Sequence, residues 1–505
     1  QKQASNHYNE LVREQSTRHL SIIFHLRKLN NYLKSELIEF AISASQSERP
    51  LQVIDFGAGK GGDLHKWFKK HLSHTIGRYV GVDIAINSLQ QFVQQRVLDK
   101  DSKLRSNGEF AKISHLICAD MGVDSLTKTE LDTHTWRRGS DPASGEWKRE
   151  VPLRSTDQFD IASCQFAMHY MFQSVAQARN FFRELSTHLR DGGMFIATTI
   201  DCAAMVELFS QLLYGEVDLM HTLTSNSSGF LSSKGIRLFV SDSTQPSNSG
   251  DDGGLRKNDT VTKGVIDEES QSNKDVFAAI RRFRRPNLFD QVDDDKDEDR
   301  VCGAIISNEA GDMLLRVTLK LSDLKKLFIK SKESKQLRPE QSTNELNGAK
   351  ESWEAAYGLQ YNFALFDEAN SLAGSAAAVD APEWIVPVGW PLDVLAAEFD
   401  LHLVKRQNFH EAVREALADP RKKRRMESLD LFNYNGSMSS GEWAIARLYT
   451  SLVWVKGKNA AEMMQQTFSS NTNSTHQIDT NGIQSKIPQS PDMPPPGSGF
   501  EPQSP

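Results

Sequence analysis

The chain has 505 residues, ample for one large core, but its hydrophobic fraction of 38% lies below the globular average and its polar excess is concentrated in identifiable stretches. A formal net charge of −7 gives no global attraction for nucleic acid, so any such partner has to be met by a local basic patch. Four cysteines (Cys118, Cys164, Cys202, Cys302) are scattered without a C-x-x-C spacing, which supports neither a disulfide framework nor a zinc site and makes a reducing compartment the default. No apolar run is long enough to span a bilayer and nothing resembles a signal peptide; the chain opens on Gln1 rather than Met, which leaves room for an upstream segment.

Residues 8–42 read as a long amphipathic helix: Ile22, Leu26, Leu29, Leu33, Leu37 and Phe40 recur at helical spacing and form one stripe. Arg27, Asn30, Asn31 and Lys34 fall on the adjoining sector, a polar edge that on most helices would be a solvated flank. A short apolar run, Val53-Ile54-Asp55-Phe56, then breaks into Gly57-Ala58-Gly59-Lys60-Gly61-Gly62-Asp63, as suits a buried strand whose end lets a ligand approach the backbone. A second run, Tyr79 to Val82, ends in Asp83. An acid at that distance after a strand, glycine loop and helix is placed to bond the two hydroxyls of a ribose, so a nucleoside-type ligand is expected.

Strands and helices keep alternating up to residue 200. Ala111–Ala119 is a third strand, ending in Asp120; Phe159–Phe166 is a fourth; a helical pattern runs from Val175 to Leu189; Met194–Thr199 is a fifth strand, opened by Gly192-Gly193. This alternation predicts an α/β fold with a doubly wound, mostly parallel sheet, whose ligands sit beyond the carboxyl ends of the strands. Residues 121–157 read as an extended polar loop, and 241–300, with Asp293 to Asp299 among them, as an acidic disordered insertion that would repel itself if compacted. Folded signals resume at Tyr361–Leu365, Pro382–Val386, a helix near 391–399, and strands at Leu401–Val404 and Leu448–Val455. One domain over 1–457, followed by a polar tail over 458–505, is the expected organisation.

Several separated segments together resemble the eukaryotic-type mRNA cap guanine-N7 methyltransferases, a class I family with a Rossmann-like sheet and a lid subregion. The matching text is His7-Tyr8-Asn9, Leu26 to Ser35, Gly57 to Leu64 with Lys66-Trp67, Asp83-Ile84-Ala85, Ser163 to Tyr170, Gly358 with Tyr361-x-Phe363, Pro382-Glu383-Trp384, and Gly441-Glu442-Trp443 leading to Tyr449. The Asn-Asn-x-x-Lys-Ser, Gly-Lys-Gly-Gly-Asp and Cys-Gln-Phe-x-x-His-Tyr strings are specific to the family, whereas the glycine turn alone would match any class I methyltransferase.

The resemblance implies S-adenosylmethionine as methyl donor, contacted by Lys34, Gly57, Asp83, Asp120, Gln165 and Tyr170, and the guanosine cap of mRNA as acceptor, contacted by Asn30, Asn31, Lys60, Lys66, Arg96, His169, Glu383 and Tyr449. Lys60 and Lys66 suit phosphates; Glu383 can accept from the guanine N1–H and amino group. Read singly, Asp120 could instead cap a helix and Glu383, after a proline, could sit in a surface turn. Arg96 lies one residue further from Asp83 than the family spacing, and one residue turns a helix by about 100°, which leaves Gln95 as its rival. Ala58 replaces a frequent Cys, and residues 301–320 match the family's strands only loosely. The family further implies a nuclear monomer, no metal, and other capping enzymes or RNA polymerase II as partners. Because guanine N7 carries a free lone pair, no general base is expected. The remaining readings are a class I methyltransferase for another RNA or protein, and a non-catalytic nucleotide-binding scaffold.

Overall fold

The computed structural model describes residues 21–45, 49–69, 75–99, 102, 109–136, 141–214, 236–241, 300–327, 354, 356–367, 377–432 and 438–474. The His7-Tyr8-Asn9 string, residues 242–299 of the expected insertion and residues 475–505 of the expected tail lie outside them.

A 21-residue helix, α1 (Phe24–Ala44), buries Leu26, Leu29, Leu33 and Leu37 as its periodicity requires, with Tyr32, Ile38 and Ala41 widening the stripe. Then follow β1 (Leu51–Phe56), the short α2 (Leu64–Trp67), β2 (Ile76–Asp83), α3 (Ile86–Phe92) and β3 (Ile113–Cys118). Next come β4 (Leu131–Thr135), β5 (Glu146–Glu150), β6 (Phe159–Gln165), α4 (Val175–His188), β7 (Leu189–Ile200) and α5 (Cys202–Tyr214). The remaining elements are β8 (Ile236–Ser241), β9 (Val301–Ser307), β10 (Met313–Lys320), β11 (Gln360–Phe366), β12 (Ala377–Trp384), α6 (Trp390–Ala397), β13 (Leu401–Asn408), α7 (Phe409–Ala418), α8 (Pro420–Ser428), α9 (Ser440–Arg447), β14 (Tyr449–Lys456) and α10 (Lys458–Ser474).

Nine strands form the main sheet in the order β13-β14-β7-β6-β1-β2-β3-β4-β5. β1 pairs in parallel with both β2 and β6, and the chain reverses its direction of winding between them. That switch point leaves a crevice outside the carboxyl ends of β1, β2 and β6, where ligands of such sheets bind. Residues 121–157, expected as a loop, contain the antiparallel hairpin β4–β5 at the sheet's edge. Its strands are half polar because only one face of an edge strand is covered, which hides them from a hydrophobic pattern. The tail expected from 458 opens instead with α10, which packs on β13 and β14 and buries Ala461.

A second sheet, β12-β11-β10-β9-β8, is antiparallel throughout and lies over the crevice. Its apolar face shares a core with α1, α7 and α9, which includes Leu26, Leu29, Leu315, Val317, Tyr361 and Ile445. Ser241 and Val301 are register partners, so residues 242–299 join adjacent ends of two paired strands.

The Gly441-Glu442-Trp443 string has a structural reason. Glu442 completes a capping box with Ser439 at the start of α9, and its other carboxylate oxygen accepts from the Leu26 amide at 3.0 Å, at the uncapped start of α1. A side chain at 441 would put its Cβ 2.5 Å from the Ser307 carbonyl oxygen. Trp443 stacks on His410 at 3.7 Å.

Candidate active site

A cleft of about 720 Å³ opens between the carboxyl ends of the main sheet, the polar edge of α1 and the second sheet. Five of the fourteen expected contacts come to it from the sheet side: Gly57, Asp83, Asp120, Gln165 and Arg96. Asn30, Asn31 and Lys34 come from α1, His169 and Tyr170 from the turn after β6, Glu383 from the second sheet and Tyr449 from the start of β14. The polar edge of α1 is therefore a wall of the cleft, not a solvated flank.

The glycine loop is shaped by two left-handed residues at the cleft, Gly57 at φ +74° and Gly59 at φ +50°. A Cβ on Gly57 would lie 2.5 Å from that of Ala167, so only glycine lets the loops after β1 and β6 meet. The Gly59 amide donates to Asp83 Oδ2 and the Ala85 amide to Asp83 Oδ1, both at 2.8 Å. Each carboxylate oxygen has a second lone pair, and Asp83 lines the cleft, which fits a vicinal diol. Enclosure raises its pKa, with those backbone amides pulling the other way. Asp120 sits in a tight turn in which its Oδ1 accepts from the Gly122 amide at 2.9 Å; it caps no helix. Gln165 is fixed by Thr198, which donates to its Oε1 at 3.1 Å, and by its own amide donating to Ser163 Oγ at 3.2 Å.

Sequence reasoning assigned Asp63 no role, yet it ties this wall together. Burial alone would raise its pKa, but the ammonium groups of Lys34 and Lys66 hold it well below the usual carboxylate range. Lys34 Nζ lies 2.8 Å from one oxygen, and Lys66 Nζ donates to the same carboxylate at 2.6 Å and to Asn31 Oδ1 at 3.0 Å. Lys66, expected on a phosphate, is 1% exposed and absent from the cleft surface: it sits behind the wall and orients Asn31. A four-residue helix that starts at a buried Leu64 turns Lys66 inward, which spacing along the chain does not reveal. Lys60 is half-buried and also outside the lining.

Arg96 reaches the cleft and Gln95 points to solvent. After Phe92 the helix widens into a π-helical segment, Val93–Leu98, whose hydrogen bonds skip one extra residue. Within this segment Arg96 faces the cleft and Gln95 does not. Gly61 lets it close in, since a Cβ there would lie 3.2 Å from Arg96 Cγ and 2.7 Å from the Phe92 ring.

On the far wall, Glu383 is 4% exposed within β12, not in a surface turn, and accepts from the Tyr361 hydroxyl at 2.5 Å. Its other oxygen lies 3.5 Å from His169 Nε2. Burial pushes the Glu383 carboxyl up to about 8 and the His169 imidazole down to about 3, so the two meet as neutral groups near pH 7. Tyr449 and Lys34 pack on the ring of Phe166, at 5.0 and 5.6 Å. Phe166 holds φ +56°, a strained value for a side chain of that size, and its amide donates to Thr198. Arg27, on the α1 wall, reaches across to Asp367 beyond β11, with 2.7 Å between Nη1 and Oδ1.

Asn30 Oδ1 and His169 Nε2 are buried at this cleft without a hydrogen-bond partner among the described residues. Unpaired polar atoms are costly in a folded chain, so both fit a polar ligand. The glycine cradle, the enclosed diol acceptor and these orphan atoms together fit S-adenosylmethionine beside a second nucleoside.

Comparison with known proteins agrees. The profile of the mRNA (guanine-N(7))-methyltransferase domain matches residues 1–216 and 336–457. A rice (Oryza sativa subsp. japonica) protein, mRNA cap guanine-N(7) methyltransferase 1, is 26% identical over 460 residues, 90% of this chain and 80% of the rice protein. The Arabidopsis thaliana protein of that name is 34% identical over 41% of this chain and 47% of its own length, and the Drosophila melanogaster mRNA cap guanine-N(7) methyltransferase 35% over 40% and 42%. The matches to these last two thus span less than half of each relative. β8, β9 and β10 fall in the unmatched gap, yet they complete a sheet whose β11 and β12 lie within the match. The chain belongs to the mRNA (guanine-N(7))-methyltransferase family.

Proposed function

We propose that this cleft takes S-adenosylmethionine and the 5′ guanosine cap of mRNA side by side, and that the chain transfers a methyl group to guanine N7 by in-line displacement. One observation carries the reading: Asp83 and Gln165 face the same cavity as Asn30, His169, Glu383 and Tyr449. When bound, S-adenosylmethionine supplies a sulfonium-activated methyl group.

Lys34, Gly57, Asp83, Asp120, Gln165 and Tyr170 hold the donor: Asp83 accepts from the ribose hydroxyls, Asp120 from the adenine amino group, and Lys34 faces the methionine carboxylate. Asn30, Asn31, Arg96, His169, Glu383 and Tyr449 hold the cap, with Arg96 toward the phosphates and Lys66 positioning Asn31. Glu383 reads the two donors that guanine alone presents side by side, N1–H and the amino group.

N7 attacks with its own lone pair, so no residue has to remove a proton first. The low pKa of His169 supports this, since an imidazole at about 3 is a poor base. The residues act by alignment, which contributes roughly 7–11 kcal/mol when reactants are well placed. An ionised Glu383 would also offset the positive charge that develops on the guanine ring. Methyl transfer from radiolabelled S-adenosylmethionine to capped and uncapped RNA tests the reading; equal labelling of both would defeat it, and transfer to neither would favour a scaffold.

The proposed reaction needs no residue from a second copy, so a monomer would suffice. This reading implies action on nascent transcripts in the nucleus, with other capping enzymes or RNA polymerase II as partners. Arg421-Lys422-Lys423-Arg424-Arg425 is a candidate import signal only in part. Arg425 lies 2.7 Å from both Glu36 and Glu39 on α1, and Lys422 lies 3.2 Å from Glu36, whereas Arg421, Lys423 and Arg424 are exposed. A tagged protein that stays nuclear after these last three are neutralised removes the run from consideration.

A further inference from the structure

A second cavity, of about 740 Å³, lies on the other side of the helix that carries Arg96. Asn87, Gln90, Gln91 and Gln94 recur along one face of α3 and its π-helical continuation and line one wall. The hairpin β4–β5 supplies the other wall, with His134 and Trp147 paired across the strands. The Pro142–Ser144 turn of that hairpin packs against the π-helical segment.

His134 forms the centre of an aromatic cluster, 4.2 Å from Trp136 and 5.1 Å from Trp147 between ring centroids. It is 4% exposed, and its Nδ1 is buried without a hydrogen-bond partner among the described residues. Gly145 makes room for the cluster: a Cβ there would lie 2.3 Å from Trp136 Nε1 and 2.4 Å from His134 Cε1. Among the described residues that line this groove none is charged.

That combination suits a nucleobase better than a phosphate. Aromatic rings offer stacking that tolerates any base, and glutamine and asparagine amides carry both a donor and an acceptor to meet base edges. Arg149 is exposed two residues beyond Trp147, hence on the same face of the strand, with Asp132 opposite it on β4. The groove and the cleft flank the same helix: Ser88 and Arg96 line the cleft, and the amide row lines the groove.

We propose that this groove binds single-stranded RNA, taking bases of the transcript just downstream of the cap as they pass over Arg96. The proposal rests on the cap-methyltransferase reading of the cleft. Three substrates or ligands separate the two: a capped dinucleotide, a capped RNA of about ten nucleotides, and the same RNA uncapped.

The native enzyme should show a lower KM for the long capped RNA than for the capped dinucleotide. Trp147→Ala should raise the KM for the long RNA about tenfold and leave the dinucleotide within about twofold, with kcat unchanged on both. Gln90→Ala with Gln94→Ala, at exposed positions that cannot unfold the chain, should move the same KM in the same direction. The uncapped RNA should change the fluorescence of the native protein more than that of Trp147→Phe. Equal losses on long and short substrates, or no loss on either, would overturn the groove, as would a groove that takes a proline-rich peptide but not the RNA. A native enzyme that binds the uncapped RNA through Trp147 yet leaves the capped dinucleotide unmethylated would defeat the reading of the cleft and spare the groove.

Discussion

Tyr361 and Glu383 stand directly opposite each other on β11 and β12, and the tyrosine hydroxyl donates to the glutamate at 2.5 Å inside the cleft wall. The carboxyl is thereby aimed but, through burial, held mostly protonated below about pH 8. Accepting from the guanine N1–H and amino group requires the ionised form. Cap binding at pH 7 should therefore release close to one proton, and affinity should tighten up to about tenfold per pH unit as pH rises toward 8. Calorimetry in buffers of different ionisation enthalpy measures this; absence of proton release, or its persistence in Glu383→Gln, would refute the assignment.

The same shift bears on stability, with the opposite sense. The folded-state value of about 8 exceeds the ordinary 4.5, so the contribution is present below pH 4.5 and is lost as pH rises through 8. Glu383→Gln should thus gain Tm relative to the native protein between pH 5 and pH 9 when both are melted without ligand. In activity the substitution should cost about 1.5–3 kcal/mol, roughly ten- to a hundredfold in kcat/KM for the cap, with donor affinity unchanged. Inosine-capped RNA, which lacks the amino group, should be a poorer substrate and suffer less. Equal losses on both caps would exclude contact with the amino group.

Asp83→Ala should weaken S-adenosylhomocysteine by a hundredfold or more, because two hydroxyls lose a charged acceptor at about 1.5–3 kcal/mol each. The fold should survive with a lower Tm, since the Gly59 and Ala85 amides lose their partner as well. Because enclosure raises the Asp83 pKa, affinity in the native protein should fall as the medium is acidified. Titration calorimetry would show both effects; near-native affinity in Asp83→Ala would mean that the donor binds elsewhere.

Glu442→Ala should destabilise the chain by about 2–4 kcal/mol, since it removes one end of a capping box and strands the buried Leu26 amide. Denaturant unfolding would measure it, and a loss below about 0.5 kcal/mol would show that solvent replaces these bonds.

Removal of residues 245–298 should leave turnover on a capped dinucleotide within a few-fold. Ser241 and Val301 are already register partners, so the residues retained between them make a hairpin loop of ordinary length, and doubling a loop costs only about 0.6 kcal/mol. A folded deletion protein without activity would show that the segment shapes the cap site.

Local signals determined much of this protein from sequence alone. The order of strands and helices, the glycine loop, the acid after β2 and the stripe of α1 depend on neighbours a few residues apart, and those neighbours are printed in the chain. Residue strings likewise placed Asp83, Gln165, His169 and Glu383 at one site, and twelve of the fourteen expected contacts line one cleft. The tertiary structure decided what depends on distant partners. Lys66 turns inward because Asp63 and Asn31 receive it there, Arg96 faces the cleft from a π-helical segment, and the edge hairpin exists because β3 offers β4 a hydrogen-bonding edge. Glu383 becomes a protonated carboxyl only when the assembled fold buries it, while the Tyr361 hydroxyl that β11 brings opposite pulls its pKa the other way. Side-chain burial and pKa are properties of the assembled low-dielectric surroundings, and no window of sequence contains them.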